Sequence, residues 1–165
     1  MNDNFQLFQK QITHPFKFRQ FMFNSLPSAW FAGLKIVSLT KEEATISIPY
    51  KWFNKNPFNS MYFAILSMAA EVSTGVLCMG HSYKLQPSVS MLLVESNAVF
   101  HKKATGKIFF TCADGIKILQ TIEQAIATKE AAFVTCHSTG KNELDEIIAE
   151  LNYTWSFKIR VPKTA

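Results

Sequence analysis

The segment Met61–Met79, MYFAILSMAAEVSTGVLCM, is apolar along its whole length except for one charged side chain, Glu71. Nineteen such residues in a row demand either burial inside a protein core or insertion in a lipid bilayer. Ser67, Glu71, Ser73 and Thr74 lie deep within the run, and no Lys/Arg asymmetry flanks it. A buried helix is therefore expected rather than stable membrane insertion. Ile65, Ala69, Val72, Val76 and Met79 recur at 4-3-4-3 spacing and form an apolar stripe. Ser67, Glu71, Thr74 and Cys78 form a narrow polar seam on another face, and Ala69, Ala70 and Gly75 keep the helix thin enough for close packing on a sheet. A carboxylate in such a helix is costly unless it is paired or put to chemical use.

The rest of the chain supplies strands to wrap that helix. Residues 4–31 read as a helical, aromatic-rich flank in which Pro15 suits a helix start after His14. Residues 33–51 read as a hairpin: Leu34–Leu39, a charged turn at Lys41–Glu43, then Ala44, Ile46, Ile48 and Tyr50 alternating with Thr45, Ser47 and Pro49. The polar loop NKNPFNS (54–60) ends in Asn59 or Ser60, either of which suits the N-cap of the long helix. Further strands are predicted at 88–101, 107–113 and 131–138. Between the last two, Asp114 is placed to cap a helix burying Ile118, Ile122 and Ala125. From Ile147 to Val161 every odd position is apolar and every even one polar except Ile148, which predicts a long strand with one wet face. The predicted class is α+β, an antiparallel sheet curled around a central helix.

At 165 residues with 48 % hydrophobic and 18 % charged residues, the chain is sized and composed for one globular core. Cys78, Cys112 and Cys136 show no metal-binding spacing and read as reduced core thiols of a cytoplasmic protein. The N-terminus lacks the pattern of a signal peptide. The net charge of +5 is spread out, with Lys102–Lys103 the one basic doublet, so a nucleic-acid partner is not expected. His81, His101 and His137 sit at neither metal nor dyad spacing and read as structural or exposed.

A hairpin, an Asn-containing loop, a buried helix with one acid and long antiparallel strands together resemble the hotdog fold. More narrowly, NPFNSMYFAILSMAAEVSTG is similar to the helix motif of acyl-CoA thioesterases of the phenylacetic-acid-degradation type. That motif runs Asn, Gly, His-Gly-Gly and then an acid about nine residues after the His. The resemblance covers roughly residues 28–161, with 1–27 as a helical flank and 28–165 as the thioesterase-like domain. It looks closest to a branch known only as a domain of unknown function, on the helix at 115–128 and the ending TWSFKIR. The resemblance gives Asn56 the Asn position, Tyr62-Phe63-Ala64 the place of His-Gly-Gly, and Glu71 the acid.

What the resemblance implies is hydrolysis of a fatty or aromatic acyl thioester, with coenzyme A as part of the substrate and neither metal nor redox cofactor. Glu71 would be base or nucleophile, Asn56 and Thr74 catalytic partners, and the backbone N–H groups of Tyr62, Phe63 and Ala64 oxyanion donors at the helix N-terminus. Lys102, Lys103 and Arg160 are candidates for the phosphates of coenzyme A, although surface solvation explains them equally well. Residues 63 and 71 lie ~12 Å apart along a helix axis, so one carbonyl cannot meet both within a chain. A site using both implies a homodimer, or a dimer of dimers (homotetramer). The alternatives are a non-catalytic hotdog protein binding acyl-CoA or a lipid-like ligand, and a membrane-associated adaptor using the Phe-rich N-terminus.

Overall fold

The computed structural model describes residues 3–160. In chain order it contains α1 (Asp3–Ile12), α2 (Pro15–Ser25), α3 (Pro27–Ala32), β1 (Lys35–Leu39), β2 (Ala44–Ile48), a 3₁₀ turn (Trp52–Asn54), α4 (Phe63–Ser82), β3 (Val89–Phe100), β4 (Ile108–Cys112), α5 (Gly115–Thr128), β5 (Ala132–Asn142) and β6 (Ile147–Ile159). The strands form one antiparallel sheet in the order β1-β2-β4-β5-β6-β3, whose two ends do not pair. This curled, unclosed sheet packs around α4, which touches β2, β3, β4, β5 and β6.

α4 is long and apolar enough to span a bilayer, but most of it is buried inside the fold. Ala69, Ala70, Leu77 and Cys78 are fully enclosed. The helix begins at Phe63, not at the expected Met61, and its N-cap is Tyr62 with no side-chain cap bond. Asn59 and Ser60 therefore do not cap it. Asn59 adopts a left-handed backbone (φ 57°), and the Ser60 hydroxyl donates to Asn56 Oδ1 inside the loop. Competition from this local loop bonding explains the shift.

Asp114 precedes α5 but makes no side-chain cap either. Its Oδ2 accepts the His137 N–H at 2.7 Å, and Oδ1 pairs with Lys117 at 2.6 Å, so a neighbouring strand takes the acceptor that the helix was expected to use. Ile118, Ile122 and Ala125 are buried as the spacing required, the two Ile side chains contributing about 2 kcal/mol each by leaving water.

β6 buries Ala149, Leu151, Tyr153, Trp155 and Phe157 on its dry face. At its start the alternation slips: Ile148 is buried and Ile147 is 41 % exposed. The β5–β6 register passes from Gly140↔Ala149 to Lys141↔Ile147, so Ile148 is an inserted residue at a bulge. The one polar-position exception in the sequence pattern marks that bulge. Val161 lies outside the described residues, as do Met1, Asn2 and 162–165. Phe5, Phe8, Ile12, Phe18 and Met22 bring α1 and α2 into the same apolar core as the sheet and α4.

Candidate active site

The polar seam of α4 divides into closed and open parts. Ser73 donates to the Ala70 carbonyl and shares a 2.7 Å hydrogen bond with Ser138 of β5. Thr74 donates to the Glu71 carbonyl and accepts the Trp155 indole N–H, both at 2.9 Å. His81 bonds the Lys41 carbonyl through Nε2 and packs on Phe5, and burial pulls its pKa down. All of these polar groups have partners within the chain.

Glu71 does not. Its carboxylate is half-buried and, among the described residues, has neither a hydrogen-bond donor nor a cation beside it. Desolvation raises its pKa above the ordinary carboxylate value. A Cβ placed on Gly75 would lie 3.1 Å from Glu71 Oε1 and 3.5 Å from the Trp155 ring, so a glycine there gives the carboxylate its room. The Tyr153 hydroxyl, donating at 2.6 Å to the Ser67 carbonyl, is held protonated by burial first and by the Glu71 charge second.

Ala64, Ser67, Met68 and Glu71, a single face of α4 at 3- and 4-residue spacing, line a cavity of about 270 Å³. Its other wall is Ser96–Ala98 of β3 with Leu151 and Tyr153 of β6. β3 is the sheet's edge: β6 pairs one side of it from Val89 to Phe100, and among the described residues the other side has no strand. The cavity therefore borders this twelve-residue edge strand, in its C-terminal half. Leu92, Val94, Val99 and Phe100 are exposed along that edge, and Phe63 meets Phe100 edge-on at 6.2 Å.

The other expected site residues are placed unevenly. At the N-terminus of α4 the Tyr62 N–H is already spent on the Asn54 carbonyl at 2.8 Å. The N–H groups of Phe63 and Ala64 have no backbone acceptor among the described residues, as expected of the first turn of a helix. Asn56 organises the preceding loop: Oδ1 accepts from the Phe58 N–H, the Ser60 N–H and the Ser60 hydroxyl, and Nδ2 donates to the Met61 carbonyl. It does not line the Glu71 cavity, and neither does Thr74.

Lys103 reaches the Phe58 carbonyl at 3.3 Å, and the adjoining Ala104 carbonyl accepts the Met61 N–H, so this basic doublet lies by the start of α4. Lys102 is ion-paired with Glu146. Arg160 is beside Met79 and Tyr83 at the other end of the helix, ~25 Å away by helical rise, and does not join the doublet. Ser67, Ser96, Asn97 and Tyr153 are cavity residues that sequence reasoning missed as site members. Only the seam periodicity pointed to Ser67.

The three cysteines, far apart in sequence, converge. Cys136 neighbours both Cys78 and Cys112; contact with Cys136 and burial push the Cys112 thiol up, while Cys136, eased down by Cys112, is raised further by Cys78 and burial. Cys112, Cys136 and Asp114 bring three potential ligand atoms within 4.8 Å of one another. Both Asp114 oxygens are already engaged, by Lys117 and by the His137 N–H.

No protein-family model matches the chain, and no curated protein sequence matches it. Solved structures do. A Pseudomonas aeruginosa protein of unknown function, described as a probable thioesterase, superposes with a TM-score of 0.75 at 17 % identity over 91 % of this chain and 99 % of its own. The Haemophilus influenzae thioesterase HI1161 matches at 0.63 with 13 % identity, over 90 % of this chain and 93 % of its own. The E. coli PaaI protein from the phenylacetic acid degradation operon matches at 0.61 with 11 % identity, over 86 % and 89 %. The chain has the hotdog fold, and its structural neighbours include thioesterase-like hotdog proteins.

Proposed function

We propose that the protein is an acyl-CoA thioesterase whose active site forms where two copies meet along β3. The observation that carries this reading is Glu71, an unpaired acid with a raised pKa, facing a cavity at a free sheet edge. A free edge with exposed Leu92, Val94 and Val99 favours pairing with a second copy. Antiparallel pairing centred on Ser96 would bring the partner's α4 toward this cavity and satisfy the axial separation of Phe63 and Glu71. The thioesterase-like neighbours support the reaction class, and three free, buried thiols accord with a reducing cytoplasm.

In the proposed mechanism the Glu71 carboxylate takes a proton from water, and the resulting hydroxide oxygen bonds to the thioester carbonyl carbon. The oxyanion is held by the Phe63 and Ala64 N–H groups of the other copy, at a helix N-terminus whose dipole favours negative charge. The C–S bond then breaks, and the departing thiolate receives the proton from Glu71. Lys102 and Lys103 lie where coenzyme A phosphates would approach the start of α4. Asn56 acts as a positioning residue through the loop that leads into the helix, while Thr74 serves the fold by accepting from Trp155.

The test is hydrolysis of acyl-CoA esters from acetyl to palmitoyl, with phenylacetyl and benzoyl, by wild type and Glu71→Ala. Turnover that falls about 10²–10⁴-fold in the variant is the expected result. Binding without turnover, unchanged by Glu71→Ala, would instead make the protein a non-catalytic acyl-CoA carrier.

A further inference from the structure

A second cavity, of about 720 Å³, lies between α2, α3, β1 and the segment that follows β2. It shares no lining residue with the Glu71 cavity. Its volume falls within the range of small-ligand sites, roughly 300–1,000 Å³. Phe18, Met22 and Leu34 give it a buried apolar wall, with Ile36 and Trp30 beside them. Among the described residues its three charged lining residues are all cations, Arg19, Lys35 and Lys51, and no carboxylate lines it.

The charge pattern is regional. From Asn4 to Lys41 the sequence holds five Lys or Arg and no Asp or Glu. None of the three cavity cations forms an ion pair among the described residues. Two of them lie close to residues that border the cavity. The Arg19 guanidinium lies 5.8 Å from the centre of the Trp30 ring. The Lys51 ammonium lies against Gly33, where an added Cβ would meet Nζ at 3.0 Å. Gly33 closes α3 in the left-handed region (φ 84°), so a side chain there would be both strained and in the way of that ammonium.

Unpaired like charges around an apolar cavity repel one another, and a ligand that neutralises them while filling the cavity removes both costs. An inorganic anion leaves the apolar wall unused, and a neutral lipid leaves the cations unused. We propose that this cavity binds a free long-chain carboxylate, its chain against Phe18, Met22 and Leu34 and its head group between Arg19 and Lys51. The site is independent of the reaction at Glu71.

Calorimetric titration of the full chain with dodecanoate, below its micellar concentration, tests the assignment. Dodecyltrimethylammonium serves as the cationic control. The expected result is one dodecanoate per chain, at least tenfold weaker binding in the exposed-residue double variant Arg19→Gln/Lys51→Gln, and no binding of the cation. Glu71→Gln binds as wild type does, which separates this site from the active-site reading. To locate the ligand, 12-bromododecanoate quenches the tryptophan fluorescence of wild type, and Trp30→Phe removes most of that quenching. Equal binding of both amphiphiles, indifference to the double variant, quenching unchanged by Trp30→Phe, or binding to phosphatidylglycerol vesicles without binding of monomeric dodecanoate would each overturn the proposal.

Discussion

Two parts of α4 treat polarity in opposite ways. From Ser73 to His81 each polar side chain with a place in the core has a partner: Ser138 for Ser73, Trp155 for Thr74, the Lys41 carbonyl for His81. From Phe63 to Glu71 the Phe63 and Ala64 N–H groups have no backbone acceptor and the carboxylate has no partner among the described residues, and the face between them borders a cavity. Buried polar groups in folded proteins are nearly always satisfied, so the open half is where the chain gives up stability. The helix thus consists of a structural half and a reactive half, separated between Glu71 and Ser73.

The sharpest way to break this contrast is to exchange the expected effects. Beyond the loss of hydrolysis in Glu71→Ala, Thr74→Val is expected to act on stability: it leaves the Trp155 N–H buried without an acceptor, costing about 1–3 kcal/mol. Thermal unfolding should show this as a fall of ~2–4 °C per kcal/mol. A Thr74→Val protein that unfolds like wild type yet has lost its turnover would place Thr74 in the reactive half.

Gly75→Ala works in the reverse direction. Its Cβ would crowd the Glu71 carboxylate and shift it by a few tenths of an ångström, so kcat/KM is expected to fall about tenfold, or about 1.4 kcal/mol, with the fold retained by circular dichroism. A variant with wild-type kinetics would show that the carboxylate position is not critical.

The smallest effect is on pH-dependent stability. Because the folded protein raises the Glu71 pKa, the acid favours folding only while protonated. Its contribution is fully present below the unperturbed value of 4.5 and is lost as pH rises through the higher folded value. Glu71→Gln, which cannot ionise, should therefore be more stable than wild type at pH 8, with the gap closing below pH 4.5. Melting curves across that range would contradict the assignment if wild type were the more stable protein at pH 8.

The core helix, the hairpin and the β6 strand were legible because periodicity reports burial directly, and the alternation of β6 is the cleanest pattern in the chain. Glu71 was legible for the same reason, as one charge against an apolar background. The caps were not. Asn59, Ser60 and Asp114 all have suitable side chains, but the Ser60 hydroxyl is turned into the loop to donate to Asn56, and the Asp114 carboxylate accepts from the His137 N–H of a neighbouring strand. Periodicity could not place Ser96, Asn97 and Tyr153 beside Glu71, because strand pairing across more than fifty residues decides that. The convergence of Cys78, Cys112 and Cys136 was hidden likewise, since each comes from a different element.

The most direct test of the central claim, that Glu71 is an unpaired acid held ready for catalysis, is the pH dependence of kcat/KM for the preferred acyl-CoA. Wild type should show a rate that rises with pH through an apparent pKa above 4.5, as a base with a raised pKa requires, and that limb should be absent from the residual activity of Glu71→Gln. A flat profile for wild type, or the same rising limb in Glu71→Gln, would contradict it.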